Sequence, residues 1–370
     1  MTGAPSVDIV VNNYNYGRFL RAAIDGALGQ TYPHTTVIVV DDGSTDDSRD
    51  VIASYGDRIV PVLKPNGGQA SACNAGLAAG RGDLVIFLDA DDCLLPEAAS
   101  RVARAWRPGV AVVQYRLQVL NRDGVPEPAF NPTAHSPMPN GDLRRHLLSH
   151  FDYTRPPMSG CCYSREALAR FFPVPERTWR YSADAYISGL AALLGEVVSL
   201  DEPLGFYRVH GQNAWVNFRP NFEERLVHEV RCALEREAAM VALARTLGLP
   251  VEEHLALRNV FHAKLRVALR VAYPERYPRP DESPFWLASR SIRAAWQPPR
   301  GGVRDLAGRL AVTAWLALLP ALPRRLARGF ARFTLVRRRA SQFRRQRRAV
   351  EAAARGDGPA RGNGPGRAGE

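Results

Sequence analysis

Gly82-Asp83-Leu84-Val85-Ile86-Phe87-Leu88-Asp89-Ala90-Asp91-Asp92 is the stretch that decides the fold. Its five successive apolar residues, Leu84 to Leu88, suit a strand covered on both faces. The run ends in three carboxylates within four positions, Asp89, Asp91 and Asp92. The C-terminal ends of strands are where open α/β sheets bind ligands. Carboxylates this close repel one another unless a cation joins them, and their hard oxygens suit Mg²⁺ or Mn²⁺. The plain alternative is a solvated acidic loop that caps a helix near Pro96.

Working outward, Val7 to Val11 reads as a strand that enters the polar turn Asn12-Asn13-Tyr14-Asn15-Tyr16, with a helix from about Gly17 to Leu28. Val37 to Val40 is a second buried strand, ending in Asp41-Asp42-Gly43-Ser44-Thr45-Asp46. Ser44 or Thr45 suits the cap of a helix that starts near Asp46. Ile59 to Leu63 and Leu84 to Leu88 are the third and fourth strands. Strands alternating with helices predict βαβ units and a mainly parallel sheet, whose right-handed crossovers bring the polar strand ends to one rim. The glycines of Asn66-Gly67-Gly68-Gln69 allow close backbone approach, and the helix after them offers its N-terminus to an anion. No GxGxxG follows the first strand and no GxxxxGK[ST] occurs, which weighs against dinucleotide and P-loop readings. A nucleotidyltransferase would want a Gly-rich loop with Arg and Lys directly after the first strand, and Asn12 to Tyr16 does not supply one.

In order along the chain stand Tyr14-Asn15, Gln30-Thr31-Tyr32-Pro33, Val39 to Asp46, Asn66-Gly67-Gly68, Asn74-Ala75-Gly76 and Phe87 to Asp92. The set closely resembles the family 2 glycosyltransferases, inverting enzymes of the GT-A fold. The resemblance is clear over about residues 6 to 110 and patchy to about 215. It implies a GT-A-type, mainly parallel α/β sheet flanked by helices, with a helical C-terminal extension here. It implies that Asn12, Asn13, Tyr14 and Asp41 hold the nucleotide base and ribose, with Asn15 also in the nucleotide-sugar site. Asp42, Asn66, Gly67, Gln69, Asn74 and Ala90 would complete the nucleotide-sugar site. Asp89 and Asp91 would be the DxD pair that bridges the diphosphate through Mn²⁺ or Mg²⁺. Many members carry Arg before the asparagine that Asn74 matches; here Cys73 stands there.

The acceptor half is less regular. Val110 to Leu120 reads as a strand or strand pair, and residues 121–140, rich in Pro, Asn and Gly, as a long loop over the site. By the resemblance, Ser159 and Gly160 line the sugar pocket or form only a turn and strand. In Trp179-Arg180-Tyr181-Ser182-Ala183-Asp184 relatives carry an acidic pair; Ala183 replaces the first acid and Asp184 remains, and the resemblance implies that it is the general base. An inverting transfer needs one carboxylate to take the acceptor proton. With a metal stabilising the leaving diphosphate, no protein acid is required. Asp184 as a mere helix-start residue is the alternative. In Tyr207-Arg208-Val209-His210, His210 is a third metal ligand, a diphosphate contact or a bystander, and Arg208 offers charge to phosphate. Trp179 and Trp215 are sugar-stacking platforms or core aromatics.

A chain of 370 residues has length for a full core and an appendage. Residues 1–216 read as the glycosyltransferase domain, 1–110 its nucleotide-binding half and 111–216 its acceptor half. Residues 217–300 read as a helical extension, 301–350 as a basic amphipathic segment and 351–370 as a disordered tail. Cys73, Cys93, Cys161, Cys162 and Cys232 match no CxxC spacing, so reduced cytosolic thiols are expected, and no signal peptide precedes Val7. The net charge is +12, and residues 301–350 hold thirteen Arg against the single acid Asp305, which accounts for all of it. Phe222, Leu226, Val230, Leu234 and Ala238 mark an amphipathic helix, and 253–271 reads as another. Leu310 to Pro323 is an uncharged run of fourteen, too short to span a bilayer simply. Arg324, Arg325, Arg328, Arg332 and Arg337 to Arg339 follow, interleaved with Leu326, Phe330, Phe333, Leu335 and Val336. That mixture suits a helix lying on an anionic membrane surface rather than on nucleic acid, a solvated basic tail being the other reading.

The sequence therefore leads to a metal-dependent inverting glycosyltransferase acting on a nucleotide-diphosphate-sugar and a glycan or lipid-linked acceptor. By the resemblance, its setting is bacterial surface polysaccharide assembly, peripheral on the cytoplasmic face of the membrane. The rival is a catalytically degenerate GT-A domain serving as a membrane-bound scaffold, kept open by Ala183 and Cys73.

Overall fold

The computed structural model describes residues 3–121, 123–210, 221–296 and 304–335. Among them nine strands form one sheet: β1 (Val7–Asn13), β2 (Thr35–Asp41), β3 (Val60–Leu63), β4 (Leu84–Asp89), β5 (Cys93–Leu94), β6 (Val110–Leu120), β7 (Pro126–Asn131), β8 (Cys161–Ser164) and β9 (Glu196–Arg208). Their spatial order is β3-β2-β1-β4-β8-β6-β9-β5, with β7 beside β6. The first four strands in that order are mutually parallel, as the alternation of strands and helices requires. Beyond β4 the sheet is mixed. β8 runs antiparallel to both β4 and β6, β6 is parallel to β9, and β5 and β7 are antiparallel edges.

The register positions the rim. Asn12 pairs with Asp89 and Asn13 with Asp41, so the ends of β1, β2 and β4 lie level. Alternate residues of β1 face opposite layers. Val7, Ile9 and Val11 pack with α1 (Gly17–Leu28), α2 (Ser48–Ala53) and α4 (Ala98–Ala105). Val10 packs on the other face with α3 (Gln69–Ala79), α6 (Arg165–Ala169) and α7 (Ala183–Leu194), beside Leu147 of α5 (Arg144–His150).

Val110 to Leu120 is one continuous strand, the first of its two readings, and two local expectations change. Part of 121–140 is not loop, because β7 pairs Asn131 with Leu117 and Phe130 with Gln118. The helix after β2 starts at Ser48, with Asp46 Oδ1 accepting from Ser48 N at 3.1 Å. Ser44 is diverted to the first loop, its Oγ accepting from Asn13 Nδ2 and Asn15 N.

The extension consists of α8 (Phe222–Thr246), α9 (Val260–Ala272), α10 (Pro284–Trp296), α11 (Arg304–Leu318) and a last helix, α12, over 324–335. The apolar stripe of α8 works on two sides: Cys232, Ala233 and Met240 join the sheet core, whereas Leu226, Val230 and Leu234 join a separate helical core. Leu265 and Leu269 of α9 and Leu287 of α10 share that second core with Trp315, Leu316, Leu319, Ala327 and Ala331. The apolar run 310–323 thus packs in part on the protein itself, through Trp315, Leu316 and Leu319. Leu306, Leu310, Leu318, Leu326 and Phe333 stay exposed on the outside of the same helices. Among the described residues no helix is long and apolar enough to cross a membrane. Val336, Arg337 to Arg339 and the 351–370 tail lie outside the described residues, as does Trp215.

Candidate active site

Two carboxylates at the end of β2 organise the first half of the rim. Asp41 is buried and accepts from Asn13 Nδ2 at 3.1 Å, Ser44 N at 3.1 Å and Arg49 Nε at 3.0 Å. Asp42 accepts from Gly67 N at 2.9 Å, Gly68 N at 2.6 Å and Lys64 Nζ at 2.7 Å, while Asn66 Nδ2 donates to its carbonyl at 2.9 Å. The Asn66-Gly67-Gly68 turn is therefore wrapped around the Asp42 side chain. Gly68 has φ +91°, and a Cβ there would stand 2.3 Å from Arg180 Cγ, so neither its backbone nor its surroundings admit a side chain.

The end of β1 leaves hydrogen-bonding capacity unused. Asn12 Oδ1 and Asn13 Oδ1 are buried without a partner. An unpaired buried acceptor costs about 1–3 kcal/mol, so such a pair marks where a ligand's N–H or O–H groups fit. Asn15 Oδ1 accepts from Thr45 N at 2.8 Å and fastens the loop to the β2 turn. Tyr14 is 47% exposed.

The DxD turn is held from behind. Ala90 is buried and contributes its backbone, its N donating to Asn12 O at 3.1 Å. Ser159 Oγ accepts from Asp89 N at 3.1 Å and donates to Asp92 Oδ2 at 2.6 Å; Arg208 N donates to Asp92 Oδ1 at 3.0 Å. Burial, Asp91 and Asp184 push the Asp89 carboxyl up to about 7. Burial, Asp91 and Asp89 push Asp92 well above the carboxylate range. Such a cluster gains from a cation.

Asp91 Oδ2 lies 3.0 Å from His210 Nε2, and the His210 ring is packed against Phe19 and Tyr16 at 4.7 and 5.6 Å between centroids. Two neighbouring ligands of an octahedral ion, each about 2.1 Å from it, stand roughly 3 Å apart. The Asp91–His210 pair fits that spacing. Among the described residues no group of three or more His, Cys, Asp or Glu is arranged to hold a metal ion, so the protein would fill only part of a coordination shell.

Gln69 joins this turn to the acceptor half. Its Nε2 donates to Asp89 Oδ1 at 3.2 Å, and its Oε1 accepts from Ala183 N at 3.0 Å. Ala183 is fully buried, so the residue standing for the first acid of the pair is a packing residue whose N–H is used. Asp184 follows in the first turn of α7, half-buried. Behind that turn, Arg236 of α8 donates from Nη1 to Ala185 O at 3.1 Å and from Nη2 to Phe151 O at 3.2 Å. Burial pulls the Arg236 guanidinium down to about 10, against the attraction of Asp152 and Asp184. Arg236 and the second hand of Gln69 carry no local sequence signal, because both act across more than fifty residues.

Several expected site residues sit elsewhere. Trp179 is 2% exposed and packs on Tyr186 at 5.2 Å, so it has no face to offer a sugar. Ser159 is buried behind the carboxylates and supports their turn instead of lining a pocket. Gly160 is a packing glycine: a Cβ would meet Pro156 Cβ at 2.6 Å and Tyr115 O at 2.9 Å. Asn74 gives its amide to Val174 and Glu176, with Nδ2 to Val174 O at 2.9 Å and Oδ1 from Val174 N at 2.8 Å, and so ties α3 to that loop rather than facing a donor. Cys73 is fully buried beside Asn12 and Met158.

Residues 8–168 match the sequence family described as Glycosyl transferase family 2. An uncharacterized glycosyltransferase of Nostoc sp. is 38% identical over 213 residues, 56% of this chain and 66% of that protein. One of Rickettsia prowazekii is 42% identical over 119 residues, 32% of this chain and 33% of that protein. The chain thus spans from about a third to just under two thirds of these relatives' lengths. Among solved structures, S. aureus TarS 1–349 in complex with UDP-GlcNAc has a TM-score of 0.53 at 18% identity, covering 89% of this chain and 92% of that one. Likeness at that identity is likeness of fold, a mixed sheet flanked by helices.

Proposed function

We propose that this chain, which belongs to glycosyl transferase family 2 through its residues 8–168, transfers a sugar from a nucleotide-diphosphate donor to an acceptor hydroxyl with inversion. The observation that carries the reading is the Gln69 bridge, which ties the buried Asp89 to the helix start bearing Asp184. In this reading the bridge would put the diphosphate seat and a half-buried carboxylate on one floor.

In this reading the orphan amide oxygens of Asn12 and Asn13, with Asp41 and Tyr14 nearby, receive the base and ribose. Asp91 and His210 would hold Mg²⁺ or Mn²⁺ next to Asp89, and the donor's phosphate oxygens would complete the shell. When bound, that ion neutralises charge on the departing diphosphate. Asp184 takes the proton of the acceptor hydroxyl as its oxygen bonds to the anomeric carbon, and the carbon–oxygen bond to the diphosphate breaks with its electron pair leaving on phosphate. Attack from the face opposite the leaving group inverts the centre.

The acceptor we propose is a glycan or lipid-linked glycan in surface polysaccharide assembly. The exposed Leu306, Leu310, Leu318, Leu326 and Phe333, set among arginines of α11 and α12, support peripheral attachment to an anionic membrane surface on the cytoplasmic side. The scaffold alternative loses weight, since Ala183 is a packing residue and Asp184 is kept. A thermal-shift screen of nucleotide-sugars with Mn²⁺ tests the reading, because only a bound ligand stabilises. A set of shifts that vanish in EDTA supports it; no shift with any nucleotide-sugar overturns it.

A further inference from the structure

A donor diphosphate brings negative charge to a rim already lined by Asp41, Asp42, Asp89 and Asp91, and the cations near it differ in what they have left to give. Arg49 Nε is held by Asp41 at 3.0 Å and Lys64 Nζ by Asp42 at 2.7 Å. Arg180 has no acidic partner among the described residues; its Nη2 donates to the neutral amide oxygen of Asn66. Exchanging a neutral acceptor for an anionic phosphate oxygen adds an opposite charge to that bond and allows bidentate contact. No cation reaches the cleft from position 73, where Cys73 is fully buried.

The backbone builds Arg180 into the cleft. Its carbonyl accepts from Gln69 N at 2.9 Å, and the carbonyl of Trp179 accepts from Ala70 N at 3.2 Å. The segment therefore lies across the first turn of α3. The missing Cβ of Gly68 leaves the space that Arg180 occupies: a Cβ would be 2.3 Å from Arg180 Cγ and 2.7 Å from Arg180 O. An exposed guanidinium is thereby held over the Gly-rich turn, whose own N–H groups are given to Asp42 and to the carbonyls of Trp179 and Arg180, so it is the side chain that has charge to offer a phosphate there. Its reach comes from the acceptor half, so no motif in the nucleotide half announces it.

We propose that Arg180 binds the donor diphosphate, exchanging the Asn66 amide for phosphate oxygens, and so supplies from the acceptor half the cationic contact that Cys73 does not. This rests on the nucleotide-sugar reading of the cleft. The test is titration of the full chain, in Mn²⁺, with UDP and GDP, each beside its parent nucleoside, for wild type, Arg180→Met and Arg180→Lys. Met keeps the aliphatic stem over Gly68 and removes the charge. For the diphosphate that binds wild type, Arg180→Met is expected to lose about tenfold to a hundredfold in affinity. Nucleoside affinity stays unchanged and Arg180→Lys recovers most of the loss. Equal diphosphate affinity in Arg180→Met overturns the proposal. So does a parallel loss of diphosphate and nucleoside, which marks a disturbed Gly-rich turn. If neither diphosphate binds wild type, the nucleotide-sugar reading falls and this contact with it.

Discussion

Gln69 Nε2 stands 3.2 Å from Asp89 Oδ1, and the other end of the same amide accepts from Ala183 N at 3.0 Å. One side chain thus connects a DxD carboxylate to the residue before the candidate base. The amide can serve both because it offers a donor and an acceptor on opposite atoms.

Gln69→Leu keeps the approximate size and removes both bonds. It leaves the Ala183 N–H without its partner, a loss of about 1–3 kcal/mol. The expected result is a lower melting temperature and a fall in donor turnover of about tenfold or more, from misplacement of Asp184. Calorimetry and a hydrolysis assay read the two effects. Wild-type turnover in Gln69→Leu would show that the bridge has no catalytic role.

The Asp89 carboxyl, raised to about 7, gives a pH signature. A group raised above its unfolded value of about 3.9 contributes stability below that value and loses it as pH rises towards 7. Asp89→Asn is neutral throughout, so without metal its melting temperature should rise relative to wild type between pH 5 and pH 8. His146, His228, His254 and His262, all lowered chiefly by burial, titrate in both proteins and cancel in the difference. A pH-independent difference would contradict the raised carboxyl.

Asp184→Asn preserves shape and removes the proton acceptor, a change worth on the order of 10² to 10⁴ in rate. Donor affinity should survive, because Asp184 lies on the acceptor side of the Gln69 bridge. Loss of donor affinity with normal turnover of whatever donor binds would exclude it as the base.

The sequence makes some of this site legible and hides the rest for physical reasons. Val7, Val37 and Leu84 start apolar runs that end in polar groups, so three parallel strands and a carboxylate rim can be read directly. β8 and β9 cannot, because β8 lies antiparallel between β4 and β6 and β9 runs parallel to β6, pairings between distant segments that no local pattern announces. Trp179 and Asn74 show the limit of residue type: a tryptophan serves a sugar or a core equally well, and an asparagine serves a donor or a neighbouring loop. Arg180, Arg236 and the second bond of Gln69 act over long sequence separations. The pattern of α11 reads as membrane-facing, yet its Trp315 and Leu316 are taken up by α9 and α10.

That packing alters the test of membrane attachment. Deleting everything after residue 300 would bare Leu265, Leu269 and Leu287, so substitution is the cleaner route. Leu310, Leu318 and Leu326 are 53, 48 and 61% exposed, and replacing all three with Ser should leave the fold intact. The variant should lose most binding to anionic liposomes, while wild type binds them and binds neutral ones only weakly. Salt should weaken wild-type binding without abolishing it, since each interfacial Arg is worth about 1 kcal/mol and the apolar part is unscreened. Equal liposome binding by wild type and variant would remove the apolar face from the account.

The most direct test of the central claim is the rate of nucleotide-sugar turnover by the full chain in Mn²⁺ and in EDTA, for wild type and Asp91→Asn. Wild type should turn over its donor in Mn²⁺ and stop in EDTA. Asp91→Asn should be inactive in both, with an unchanged melting temperature in the absence of ligand. Full turnover by Asp91→Asn in EDTA would contradict the assignment of Asp89 and Asp91 as the metal–diphosphate pair.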